Sequence, residues 1–134
     1  MDPRYGALER LGDTPERVQE RLLKEVHFIS RDWNVNGHIL SDALIRYRED
    51  RQIFSVITDN DGELFPAFQF HFKFPFPAIK TILDSVPQEV VGWPLLTWFA
   101  TRNTFLGLKR PMDIQKRDFR KVIVVAQHLR VHSG

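Results

Sequence analysis

The sequence predicts a mainly α protein with a small β-hairpin, in which an N-terminal helix-turn-helix-like module is joined to a C-terminal helical domain. Three observations lead there. Apolar residues recur at helical spacing, first at Val18, Leu22 and Val26 and later at Ile79, Ile82, Leu83 and Val86. Residues 53–58 and 63–72 read as strands on either side of Asp59-Asn60-Asp61-Gly62, a strong turn sequence. Between the two regimes, five phenylalanines (Phe68, Phe70, Phe72, Phe74, Phe76) alternate strictly, so an extended chain would place all five rings on one face. That strand, buried under helices, marks the expected boundary between domains 1–64 and 65–134.

Taken in order, Thr14-Pro15-Glu16 has the form of a helix start, with Thr14 as N-cap and Pro15 at the first helical position, and the helix is expected over about 15–28. Residues 30–51 suggest two short helices around the Asn36-Gly37 breaker. Ser30 and Asp32 would cap the first, and the second would run over 38–48 with Leu40, Leu44 and Tyr47 on one face. The hairpin follows, and Pro66 is expected to mark an edge or bulge in its second strand. Pro75 and Pro77 cannot donate to a central ladder, which limits the phenylalanine strand and favours an edge position. After Pro77 the period becomes helical and stops at Pro87, and a second apolar helix begins near Pro94. Residues 105–111 form a loop in which Gly107 can adopt a positive φ. The last helix is expected over about 116–130, where Phe119, Val122, Ile123, Ala126 and Leu129 recur at helical spacing. An apolar run as wide as Val122-Ile123-Val124-Val125 cannot all face one core, so Val124 should be covered by another surface.

Composition excludes several classes. The 134 residues suffice for one compact domain or two small subdomains sharing a core, and 43% hydrophobic with 27% charged residues is ordinary for a globular protein. No cysteine is present, which removes disulfides and thiolate metal sites. The opening Met-Asp-Pro-Arg-Tyr-Gly has no basic region followed by an apolar run, and runs such as 122–126 are too short to cross a bilayer, so a cytoplasmic protein without membrane attachment is expected. His128 and His132 stand four apart but lack a further ligand nearby, and Asp59, Asp61 and Glu63 lack the rest of a calcium loop. Nucleophile elbows, phosphate loops and dinucleotide fingerprints are absent from the sequence. The expectation is therefore a protein that is not an enzyme and needs no metal or cofactor.

Charge is distributed unevenly. Residues 1–91 carry 11 Lys and Arg against 15 Asp and Glu, whereas 92–134 carry 8 against 2. In the C-terminal third, Lys109, Arg110, Lys116, Arg117, Arg120, Lys121 and Arg130 flank surplus apolar residues, a pattern that steers a partner by charge and holds it by burial. Near the N-terminus, a helix-turn-helix would place Asn36, His38, Ser41, Arg46 and Arg48 toward DNA, which gives the competing expectation of a transcriptional regulator with a dimerising C-terminal half.

Several pieces occur in a familiar order: Phe65-Pro66-Ala67-Phe68-Gln69-Phe70, Trp93 and Trp98, Arg102-Asn103-Thr104-Phe105-Leu106-Gly107, then Pro111-Met112-Asp113. Over roughly residues 50–130 the chain resembles the Xre/MbcA/ParS family of antitoxins. In that family a similar hexapeptide strand precedes a helical toxin-binding domain with a tryptophan helix, an asparagine–glycine loop and a final helix. The resemblance implies neutralisation of a cognate RES-domain toxin, a class that consumes NAD or transfers ADP-ribose, by a C-terminal helix and tail that obstruct its cleft. Here that role maps to residues 118–134, with Arg120, Lys121, Val124, Gln127, His128 and Arg130 as contacts. It also implies a homodimer or a hetero-oligomer with the toxin, and autoregulation through promoter DNA. This sequence departs from the pattern at Asp32-Trp33-Asn34-Val35, where the alanine-rich first helix would stand, and at Arg102, which replaces a proline.

Overall fold

The computed structural model describes residues 14–30, 41–72 and 74–133, with the backbone alone for Ser41 and 130–133. It is mainly α with two small antiparallel sheets, and its first described helix, α1 (Pro15–Glu25), begins as its sequence dictates. Thr14 Oγ1 accepts from Arg17 N at 3.2 Å, and Pro15 opens the first turn. Val18 and Leu22 are buried. The helix is shorter than periodicity predicts, because Val26 turns extended (φ −102°, ψ 138°) and the chain enters strand β1 (Phe28–Ser30).

β1 was not expected, and it changes the sheet. The hairpin of β2 (Val56–Thr58) and β3 (Gly62–Pro66) forms as predicted, but β1 adds to the other side of β3 with Phe28 opposite Pro66 and Ser30 opposite Leu64. The order is β1-β3-β2, so β3 is central, and Pro66 sits at its last position rather than on an edge. In the turn, the Thr58 hydroxyl accepts from Asp61 N at 2.9 Å and donates to Gly62 O at 3.1 Å.

Helix α2 (Ser41–Glu49) occupies the second position of the expected helix-turn-helix. Asp32 and the Asn36-Gly37 turn fall outside the described residues, and Ser30, the other expected cap, lies in β1. Leu44 of α2 joins Ile53, Phe65 and Phe70 in a small apolar cluster, with Ile29 and Tyr47 packed against it.

The phenylalanine stretch is not one strand. Ala67–Gln69 form a 3₁₀ turn, and Phe72 (φ 59°) reverses the chain so that β4 (Phe70–His71) pairs with β5 (Phe74–Pro75) in a second hairpin. The common face predicted for five rings is lost: Phe70 is buried, Phe68 and Phe76 pack at the core margin, but Phe72 and Phe74 are 87% and 65% exposed. The reason is Gln69, which the alternation assigned to the opposite, polar face and which is fully buried. Its Oε1 accepts from Phe54 N at 2.7 Å, and its Nε2 donates to Phe54 O at 2.9 Å and Pro66 O at 3.1 Å. A side-chain amide thus replaces a strand's backbone pairing.

Helix α3 (Pro77–Ser85) then packs along α5 (Arg120–Ser133) more extensively than any other pair of helices, and α4 (Trp93–Phe99) closes the core. Phe99 stacks on Phe54 at 5.6 Å and meets Phe68 at 4.9 Å, while Trp93 Nε1 donates to Ile57 O at 2.9 Å, tying α4 to edge strand β2. The main core takes Val18 and Leu22 from α1 together with Ile82, Leu96 and Val122. The expected boundary between residues 64 and 65 therefore cuts through β3, and α1 shares its core with the C-terminal helices.

Candidate functional site

The C-terminal helix is set by what precedes it. Lys116–Asp118 form a 3₁₀ turn where the sequence predicted helix, and Phe119 then buries its ring edge-on against Phe76 at 5.2 Å. From that anchor, Val122 and Ala126 point into the core, with Ile123, Val125 and Leu129 packed at its margin. The opposite side is exposed: Arg120, Lys121, Val124, Gln127 and His128 all face outward, and Lys121, Val124 and His128 line one stripe at i, i+3, i+7. Val124 is 46% exposed, as the width of the apolar run predicted for a residue left over from the core. His128 Nδ1 lies 2.8 Å from Val124 O; a carbonyl cannot donate, so Nδ1 carries the proton in that bond. The side chain of Arg130 lies outside the described residues.

Beside the helix stands a tight loop that periodicity left featureless. Asn103 Oδ1 accepts from Phe105 N at 2.8 Å, Asn103 N and Lys109 O bond at 3.0 Å, and Leu108 N donates to Asn103 O at 2.9 Å. Arg102 Nη1 adds a bond to Leu108 O at 3.0 Å. Gly107 (φ 66°) supplies the left-handed residue that ends the Thr104–Leu106 3₁₀ turn, as expected, and Leu108 is left-handed as well (φ 63°). The loop turns Leu106 into the core and leaves Phe105 86% and Leu108 59% exposed. Sequence reasoning missed both, since both look like core residues; the only signal was their place beside an asparagine cap and a glycine. Between this loop and the start of α5 runs a groove of about 470 Å³, with Phe105, Gly107 and Lys109 on one side and Gln115, Arg117 and Lys121 on the other.

Some basic residues of this region are held within the fold. Arg110 is bonded to Asp113 (2.6 and 3.1 Å) and lies 3.8 Å from Glu25 of α1, so it fastens the loop to the N-terminal helix. Its guanidinium is held above its ordinary range, mainly by the bond to Asp113. Lys116 Nζ lies 5.5 Å from the Phe76 ring centroid. Lys109, Arg117, Arg120 and Lys121 remain exposed.

Of the residues expected at DNA, Arg46 and Arg48 are the two whose side chains are described. Asn36 and His38 lie outside the described residues, as does the side chain of Ser41. Arg46 is exposed, but Arg48 Nε stands 2.6 Å from Glu63 Oε2, without its N–H directed at that oxygen, and Nη2 bonds Oε1 at 3.4 Å. Glu63 also accepts from Ser55 Oγ at 2.6 Å. Arg48 therefore ties α2 to the sheet. Among the described residues no group of three or more His, Cys, Asp or Glu could hold a metal ion, and no helix is long and apolar enough to cross a membrane.

Searches against protein-family models, curated proteins and solved structures found no match to this chain.

Proposed function

We propose that this chain is a cytoplasmic antitoxin of a type II toxin–antitoxin pair, one that neutralises a RES-domain toxin by laying the outer face of α5 over its NAD-binding cleft and has no catalysis of its own. Val124 carries the reading. It is an aliphatic side chain held outward at mid-helix between Arg120, Lys121, Gln127 and His128, on a helix whose inner face is locked by Phe119, Val122 and Ala126. A rigid helix loses little conformational freedom on docking, so burial of such an anchor is worth about 2 kcal/mol or more, while the surrounding charges mainly accelerate encounter. The residues behind the family resemblance support the same reading indirectly, since Gln69, Asn103 and Gly107 build the frame from which α5 projects.

Val124→Asp tests the proposal, because it changes only an exposed position. Co-expressed with the product of the adjacent reading frame, which this reading expects to be a RES-domain toxin, the wild-type chain is expected to co-purify with it and restore growth. The variant, with an unchanged circular dichroism spectrum, is expected to lose about tenfold or more in affinity. Full neutralisation by Val124→Asp would sink the reading. Truncation before Arg120 would not test it, because Val122 and Ala126 would leave the core with the tail.

A further inference from the structure

We propose that the groove between the Asn103–Lys109 loop and the start of α5, together with the exposed Leu108 of that loop outside the groove lining, is a second docking surface, taking an acidic segment of the partner protein whose apolar side chains meet Phe105 and Leu108. The inference rests on the reading above in taking the toxin as that partner.

Three observations lead to it. Phe105 is 86% and Leu108 59% exposed, on a loop closed by five hydrogen bonds around Asn103 and Leu108, so the two side chains are displayed by a fixed backbone. Leu108 holds φ 63°, a conformation that costs a branched residue energy and that glycine would adopt freely. Strain and exposure together on one apolar residue are hard to explain by folding, whereas an ordered aromatic and aliphatic pair is what a partner can bury at low entropic cost. Charge then selects the partner. The carboxylates at the groove are already engaged, Asp113 by Arg110 and Asp118 by Arg117 at 3.8 Å, and Lys109 and Lys121 have no ion-pair partner among the described residues. Carboxylates on an incoming segment would meet those lysines.

The test uses the full chain, the adjacent reading frame's product as the expected RES-domain protein, and two labelled synthetic peptides, one alternating Glu with Leu and Phe and one with Lys in place of Glu. The variants are Phe105→Ser and the pair Lys109→Glu/Lys121→Glu, alongside Val124→Asp. Expected is binding of the RES-domain protein and the acidic peptide to wild type, weakened about tenfold or more by Phe105→Ser and by the charge reversal. Loss of toxin binding in Val124→Asp alone, with Phe105→Ser at wild-type affinity, overturns the groove and leaves the antitoxin reading standing. Acidic peptide bound through Phe105, with no affinity for the RES-domain protein, keeps the groove and removes the antitoxin reading. Equal binding of the lysine peptide, displacement by a single-stranded oligonucleotide, or a self-dimer abolished by Phe105→Ser would each overturn the acidic partner. Binding of neither probe to wild type overturns both.

Discussion

Replacing Gln69 with leucine is expected to cost this protein a large share of its stability, although the change is close in volume and more apolar. Gln69 is fully buried, and its amide is the partner of both Phe54 N and Phe54 O, at 2.7 and 2.9 Å. Pro66 O, the third partner, lies opposite Phe28 in the sheet register, so it is left out of the account. Leucine strands the two polar groups of Phe54 beneath the aromatic cluster of Phe54, Phe68 and Phe99. At about 1–3 kcal/mol for each buried group left unpaired, the loss is about 2–6 kcal/mol, against a total of about 5–15 for a domain. Urea unfolding followed by tryptophan fluorescence and far-UV circular dichroism reads it. With a slope of about 2 kcal/mol per molar, the midpoint should fall by about 1–3 M. A leucine variant within about 0.3 M of wild type would refute the reasoning, because it would mean that the amide is dispensable and hydrophobic burial alone fixes the turn.

Arg48→Ala is expected to destabilise by about 1–3 kcal/mol, because it leaves the carboxylate of Glu63, whose side chain is only 12% exposed, with the Ser55 hydroxyl. The 37% exposure of Arg48 keeps the loss below that of a fully buried pair. Arg46→Ala should leave the melting temperature unchanged, and equal shifts for the two arginines would contradict the assignment of Arg48 to the fold. Phe72→Asn is expected to raise the melting temperature by about 4 °C, since the residue is 87% exposed at φ 59°, where asparagine relieves about 1 kcal/mol of strain. A fall would show instead that the Phe72 ring contributes packing.

Much of the helical frame was legible because its signals are local. Thr14-Pro15 starts α1, Pro77 starts α3, and the spacing of Ile79, Ile82 and Leu83 names the buried face. The strands were harder. Phe28-Ile29-Ser30 is too short to show alternation, and β1 exists only because β3 offers it an edge. Alternation misled outright at Phe68 to Phe76, because period two describes a continuous strand. Here a 3₁₀ turn satisfied by the Gln69 side chain and a left-handed Phe72 interrupt it twice. Neither interruption carries a glycine or an asparagine to announce it. At the site, the outward position of Val124 followed from counting apolar residues on one helix, whereas the exposure of Phe105 and Leu108 depends on Asn103, Gly107 and Lys109 closing a loop in three dimensions.

Several of the residues quoted for the resemblance act on the backbone, although Phe105, in the same motif, is exposed. Gln69 stands in for a strand, Asn103 caps the Thr104–Leu106 turn, Gly107 ends it, and the buried Pro111 opens the next one. Each acts on main-chain geometry, and together they hold the loop against α5. The side chains able to meet a partner, namely Phe105, Leu108, Lys121 and Val124, make no such contribution and are exposed. Frame and surface are thus written in different residues, and α5 carries both kinds: Val122 and Ala126 belong to the frame, while Lys121 and Val124 belong to the surface. Deleting the helix removes both and reports only unfolding. Exchanging its outer residues alone separates recognition from stability, so a motif that places the loop and the helix constrains where a partner binds without determining which partner it is.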